Sequence, residues 1–246
     1  MKEIYFIRHG ETDNNKLGKA QGGSVDSELN NTGIEQAKYT GKYLKEYRIK
    51  DINFDLVYSS PLKRAKKTAE IICENIGYDK NKIIFDDNLR EKNDGLLGNN
   101  LTWNEMKTHP QFKSYVKLWE NILKEKDPIE LHYKSMDDNL HQFIKEKYGG
   151  SEYELHQDIV KRLKKFINQI KKSESKKILV VAHNGTILDI LEIMFNIGFE
   201  GSRKIRDFKF GSNCHITLIK QEKNKFKMIM PPNTLHFGIY NKNYSK

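Results

Sequence analysis

Three short apolar runs, each breaking off into charged and small residues, constrain this chain more than any other feature. The first reads Glu3-Ile4-Tyr5-Phe6-Ile7-Arg8 and continues His9-Gly10-Glu11-Thr12. The second, Phe54 to Tyr58, continues Ser59-Ser60-Pro61-Leu62-Lys63-Arg64. The third, Lys177-Ile178-Leu179-Val180-Val181-Ala182, continues His183-Asn184-Gly185-Thr186. Runs this continuous fit strands buried on both faces, as in parallel sheets. Stretches with helical spacing lie between them. Ile34, Ala37, Leu44 and Tyr47 predict a helix over 33–48. Ser60 as N-cap and Pro61 at the first helical position predict another to about Ile76. Two more are expected, from about Ser151 to Ile170 and, following the third run, through about Phe195. Lys82 to Phe85 reads as a weaker strand. His215 to Lys220 and Lys225 to Met230 read as a hairpin around Glu222-Lys223-Asn224. The alternation predicts an α/β fold with helices on both faces of a mostly parallel central sheet. We expect a single domain over 1–246 carrying a helical insertion or lid at about 100–148.

Composition narrows the partners. The 246 residues include 43 basic and 33 acidic side chains, a formal charge of +10. Such a balance invites a nucleic-acid reading. However, the lysines are interleaved with Glu and Asp, and the densest runs, Lys63 to Lys67 and Lys161 to Lys165, fall on amphipathic helices. The charge therefore reads as a solvated surface that also steers a small anionic substrate, with no nucleic-acid partner expected. No apolar run approaches the ~18 residues of a membrane span, and the first apolar stretch breaks too early for a secretory signal. Two cysteines, Cys73 and Cys214, cannot build a disulfide framework. A cytoplasmic protein is expected. Its oligomeric state has no reading in the sequence.

Ligands of open α/β sheets bind beyond the carboxyl ends of the strands. If the three runs are parallel neighbours, Arg8, His9, Arg64 and His183 surround one point. Helix N-termini after Ser60 and after Asn184 could aim backbone N–H groups at it. Two guanidinium groups, two imidazoles and helix amino ends share a preference for a tetrahedral oxyanion such as phosphate. No metal-ligand spacing occurs, and His132, His141 and His156 read as ordinary helix or loop residues.

Arg8-His9-Gly10-Glu11-Thr12 with Asn15 resembles the signature of the histidine phosphatase superfamily, the fold shared by phosphoglycerate mutases and many phosphatases. Gln21-Gly22, Leu29 and Thr32-Gly33-Ile34-Glu35-Gln36-Ala37 resemble its next block. Ser59-Ser60-Pro61-Leu62-Lys63-Arg64-Ala65 is similar to its second arginine block, Leu89-Arg90-Glu91 with Gly95 to its acid-bearing loop, and Ala182-His183-Asn184-Gly185 to its second histidine block. Gly150-Ser151-Glu152 and Arg162 stand where relatives often carry Gly-Glu-Ser and a helical arginine. The resemblance implies a three-layer α/β/α, phosphoglycerate mutase-like fold. Departures from the pattern are Asn14 where Trp is frequent, Asn184 where Gly is common, and Lys92-Asn93-Asp94 after Glu91. The last favours a phosphatase over a mutase.

The resemblance further implies roles. His9 is the nucleophile, forming a phosphohistidine, with its other ring nitrogen held by backbone near Gly10. Arg8 and Arg64 bind the phosphoryl oxygens, and protonated His183 adds a further charge. At about 4 Å and an effective dielectric near 20, each charge pair is worth roughly 4 kcal/mol before desolvation. Asn15 and Asn184 are candidate neutral contacts. Glu91 is the proton donor to the leaving oxygen, and Glu11 could share that work. The expected activity is metal-independent hydrolysis of a small phosphorylated metabolite, without a cofactor. One alternative is a phosphoglycerate mutase, for which 2,3-bisphosphoglycerate would serve as primer. Another is a phosphate-binding interaction domain without turnover. Lys107, His109, Lys113 and Lys117 are candidates for reaching a second acidic group on the substrate.

Overall fold

A computed structural model describes residues 1–48, 53–98, 100–122, 124, 138–196, 212–223, 225–234 and 236–237. Its elements run β1 (Lys2–Arg8), α1 (Asp13–Lys16), α2 (Asn31–Tyr43), β2 (Leu56–Ser59), α3 (Lys63–Ile76), β3 (Ile84–Phe85) and α4 (Trp103–Thr108). Then follow α5 (Lys113–Ile122), α6 (Asp138–Ile144), α7 (His156–Lys172), β4 (Lys177–Ala182), α8 (Asn184–Phe195), β5 (Ile216–Glu222) and β6 (Lys225–Asn233). The chain divides into two compact units. The first comprises Met1–Thr12, Ser27–Glu91 and Leu163–Lys246, the second Asp13–Asp26 and Lys92–Arg162.

In the first unit the strands form one sheet in the order β3-β2-β4-β1-β5-β6. The pairings β3·β2, β2·β4 and β4·β1 are parallel, whereas β1·β5 and β5·β6 are antiparallel. The expected hairpin is thus β5–β6, and Asn224 at its tip lies outside the described residues. Alternation along the strands sends successive side chains to opposite faces. Tyr5, Ile7, Val57, Leu179, Val181, Ile216 and Leu218 share a core with Ala65, Ala69, Ile72 and Cys73 of α3 and with Leu44 just past α2. Against the other face, Phe166 of α7 meets the Tyr58 ring edge-on at 5.4 Å between centroids. The Lys2 ammonium caps the end of α7 at the carbonyls of Ile170 and Lys171. Helices therefore pack on both sides of a mixed, mostly parallel sheet.

Local signals set the helix starts, not always where the sequence suggested. Asn30 caps α2, its side-chain oxygen accepting from the Gly33 N–H at 2.9 Å. Helix α3 starts at Lys63 with Leu62 in the cap position and no side-chain cap. Ser60 is therefore not its N-cap. The extended backbone at Leu62 delays the first turn, and Ser60 Oγ accepts the Leu62 N–H, at 3.3 Å. Helix α7 starts at His156, five residues later than expected. The preceding residues instead pair with another loop, Asp94 bridging Tyr153 and Glu154 N donating to Asn93 O at 2.8 Å.

The second unit holds its own core of Leu97, Met106, Phe112, Val116, Ile144, Tyr148, Tyr153 and Leu155. Thr102 and Glu105 start α4 with a reciprocal capping box. Part of the 100–148 stretch, including His132, lies outside the described residues.

Candidate active site

The register of the sheet places the chemistry. Arg8 pairs with Ala182, and Ser59 with Val181. The ladder then runs one step further: His9 N donates to Ala182 O at 3.0 Å and Ser60 N to Val181 O at 2.9 Å. On the other flank β5 runs in reverse, so its beginning meets the ends of its neighbours, and Arg8 N donates to His215 O at 3.3 Å. His9, Ser60, His183 and His215 consequently stand just past the paired strands along one edge. All four are buried.

The His9 and His183 rings are 5.2 Å apart between centroids. His9 Nδ1 lies 2.8 Å from the Gly10 carbonyl oxygen. A carbonyl can only accept, so Nδ1 carries the proton, and in the neutral ring Nε2 keeps its lone pair. Neutrality is enforced: burial pushes the His9 pKa well below the ordinary histidine value, and the Arg8 and Arg64 charges push it further. Arg64, on the first turn of α3, is wholly buried, and Arg8 nearly so. Burial also lowers the Arg8 pKa, while the Glu91 carboxylate opposes that shift. Two buried guanidinium groups beside a neutral imidazole make a place suited to an anion.

The loop carrying His9 is locked from behind. Gly10 N donates to Thr68 Oγ1 at 3.0 Å, and Glu11 N to Gln36 Oε1 at 2.9 Å. The backbones approach so closely that a Cβ on Gly10 would lie 2.5 Å from the Gly33 oxygen. A Cβ on Gly33 would run into the Glu11 backbone. Glu11 Oε1 accepts from the Asn30 amide at 2.9 Å, which ties that carboxylate to the cap of α2.

Glu91 sits at the N-terminus of α8. Its Oε2 accepts from Gly185 N at 3.2 Å, and its Oε1 from Thr186 N at 3.2 Å, with Thr186 Oγ1 at 3.1 Å. A Cβ at position 185 would lie 2.8 Å from Oε1, so glycine leaves the room this carboxylate occupies. The α8 N–H groups expected to face an anion thus hold a side chain of the protein. His183, in the cap position, makes no side-chain cap and has its Nε2 2.8 Å from Ser60 Oγ.

The remaining candidates are placed as follows. Asn184 is the first residue of α8, half-buried, and its Oδ1 has no hydrogen-bond partner among the described residues. Asn15 stands in the second unit, on α1. There Lys107 pairs with Glu120 at 3.0 Å and His109 stacks on Phe112, while Lys113 and Lys117 lie along α5. Arg162 makes a two-pronged pair with Glu154, at 2.5 and 3.0 Å. Ser60, Thr186 and His215 are the residues that sequence reasoning missed as part of this edge. Among the described residues no cluster of three or more His, Cys, Asp or Glu side chains is disposed to hold a metal ion, and no helix is long and apolar enough to cross a membrane.

The buried histidines have a consequence for acid stability. Burial lowers the pKa of His215 and His236 to about 3, and that of His9 in the same direction. The unfolded chain, with histidines near 6.5, binds more protons than the folded one below that pH. Stability is therefore full above about pH 6.5 and falls as pH drops towards 3, with each such histidine adding up to about 1.4 kcal/mol per pH unit to the slope. Urea midpoints measured between pH 7 and 4 should decrease, and replacing His236 with Gln should flatten the decline.

The chain is similar to known proteins in sequence and fold. The family model described as the histidine phosphatase superfamily (branch 1) matches residues 4–147 and 118–233. A Hydrogenobacter thermophilus protein named "Putative phosphoserine phosphatase 2" is 28% identical over 229 residues, 93% of this chain and 94% of its own length. The phosphoglycerate mutase of Bacillus anthracis str. Sterne has a similar structure, with TM-score 0.68 and 25% identity over 93% of this chain and 92% of that one. The phosphoserine phosphatase of Entamoeba histolytica, solved with 3-phosphoglyceric acid, superposes with TM-score 0.65 at 23% identity, over 96% of this chain and 99% of its own.

Proposed function

Because the chain belongs to the histidine phosphatase superfamily (branch 1), we propose that it hydrolyses a small phosphate monoester through a phosphohistidine on His9. The observation that carries this reading is the tautomer of His9: Nδ1 is committed to the Gly10 carbonyl, and Nε2 is left as a buried, neutral nucleophile. In the first step Nε2 attacks phosphorus in line. The N–P bond forms as the ester P–O bond breaks, and the leaving oxygen takes a proton from Glu91. In the second step the Glu91 carboxylate takes a proton from water, whose oxygen attacks phosphorus and expels His9 Nε2. Arg8, Arg64 and His183 hold the phosphoryl oxygens through both steps, and Asn184 is a neutral contact. These donors supply the stabilisation without requiring a metal.

The test is phosphate release from sugar phosphates, phosphoglycerates, phosphoserine and p-nitrophenyl phosphate, measured beside interconversion of 2- and 3-phosphoglycerate. Hydrolysis with acid-labile phosphate trapped on the chain is expected. Interconversion without net release would make the enzyme a mutase, and no labelling by any ester would leave a binding role. Excess EDTA should change the rate by less than about 2-fold; loss of activity restored by zinc or magnesium would contradict the metal-free mechanism.

A further inference from the structure

The anchoring of Glu91 leads beyond the reaction itself. An α-helix leaves the N–H groups of its first turn without internal acceptors. In α8 the cap residue, His183, contributes no side-chain cap, and the Glu91 carboxylate takes the Gly185 and Thr186 N–H groups instead. Those two donors are fixed, because backbone N–H groups can only donate. A group that gives up and regains a proton in every turnover also needs a partner able to reverse its role.

Thr186 is placed to be that partner. Its Oγ1 is 3.1 Å from Glu91 Oε1 and 3.0 Å from the Arg90 carbonyl oxygen. A hydroxyl has one proton and two lone pairs, whereas a carbonyl has none to give. If the Thr186 proton points to Arg90 O, its contact with Oε1 is a hydrogen bond only when Glu91 bears the proton. If Glu91 is ionised, the hydroxyl turns and donates to Oε1. Both protonation states of Glu91 are thus matched at the same heavy-atom positions. Thr186 is also wedged in place, 1% exposed.

We propose that Thr186 is the positioning residue for proton transfer by Glu91, its hydroxyl turning between Arg90 O and Glu91 Oε1 as the proton leaves and returns. The proposal rests on the phosphohistidine reading above. During ester cleavage the proton passes from Glu91 to the leaving oxygen while the hydroxyl hydrogen rotates onto Oε1; water restores both in the second step. Thr186 acts through Glu91.

The leaving group separates this role from a merely structural one. p-Nitrophenolate departs with little need of protonation, whereas a simple alkoxide must be protonated as it leaves. In Thr186→Val, which keeps the branched shape and removes the hydroxyl, kcat/KM for an alkyl monophosphate should fall about 10-fold or more, while that for p-nitrophenyl phosphate should change less than about 3-fold. Thr186→Ser should restore the alkyl substrate. An equal loss on both substrates, or no loss on either, overturns the proposal. If the Val variant is unfolded by circular dichroism, Thr186→Ala is measured in the same way. His9→Ala checks the underlying reading independently: if it remains active, the phosphohistidine fails; if it is inactive while Thr186→Val behaves as wild type, only the role of Thr186 fails.

Discussion

His9→Ala should lower kcat by at least about 10³-fold towards every substrate and abolish acid-labile labelling of the chain. The size of the effect follows from what is lost. The His9 ring has its Nδ1 committed to a carbonyl beside two buried guanidinium groups, which leaves Nε2 as the attacking atom. His183, whose ring lies 5.2 Å away, has its Nε2 on the Ser60 hydroxyl and cannot take over the attack without losing that contact. The substitution also removes a buried neutral histidine, so the variant should hold its stability better on acidification, and it should be folded when assayed. Single-turnover measurement with a labelled ester checks the effect directly, and turnover within a few-fold of wild type would remove the mechanism.

Arg64→Met should cost about 10²–10³-fold in kcat/KM, the range seen when one preorganised oxyanion donor is deleted. Methionine keeps an unbranched chain in a wholly buried place but removes the charge and the fork of donors. A second signature accompanies the loss. The Arg64 charge is one of the causes that lower the His9 pKa, so its removal raises that pKa. Neutral His9 is then lost at a higher pH on acidification, and the acid limb of the kcat/KM profile should move upward. Arg64→Lys should leave the limb near its wild-type position, because the charge persists, while still losing rate for want of two-pronged contact. An unmoved limb in Arg64→Met would mean that Arg64 does not act on His9.

The sequence spoke clearly where local chemistry decides the outcome. Continuous apolar runs mark β1 and β4 because both faces are covered, and their ends give Arg8, His9 and His183 at once. The expected backbone partner for the His9 ring is the Gly10 carbonyl, one residue away. Other features depend on long-range pairing. Ser60 before proline carries every local mark of an N-cap, yet the hydroxyl lies against His183. The capture of Glu91 by α8 joins positions 94 and 95 residues apart. His215 could be related to the site only by knowing that β5 runs against β1, which turns the start of one strand towards the end of the other.

The placement of His9, Ser60 and His183 immediately after the last rungs of the ladder has a consequence for how such a protein can change over time. Side chains along a strand alternate between faces, so inserting or deleting one residue within β1 or β4 would swing an imidazole to the opposite side of the sheet. Length variation is therefore barred inside these strands. Loops farther along the chain are free of that arithmetic, and can vary in length while the groups at the strand ends keep their spacing.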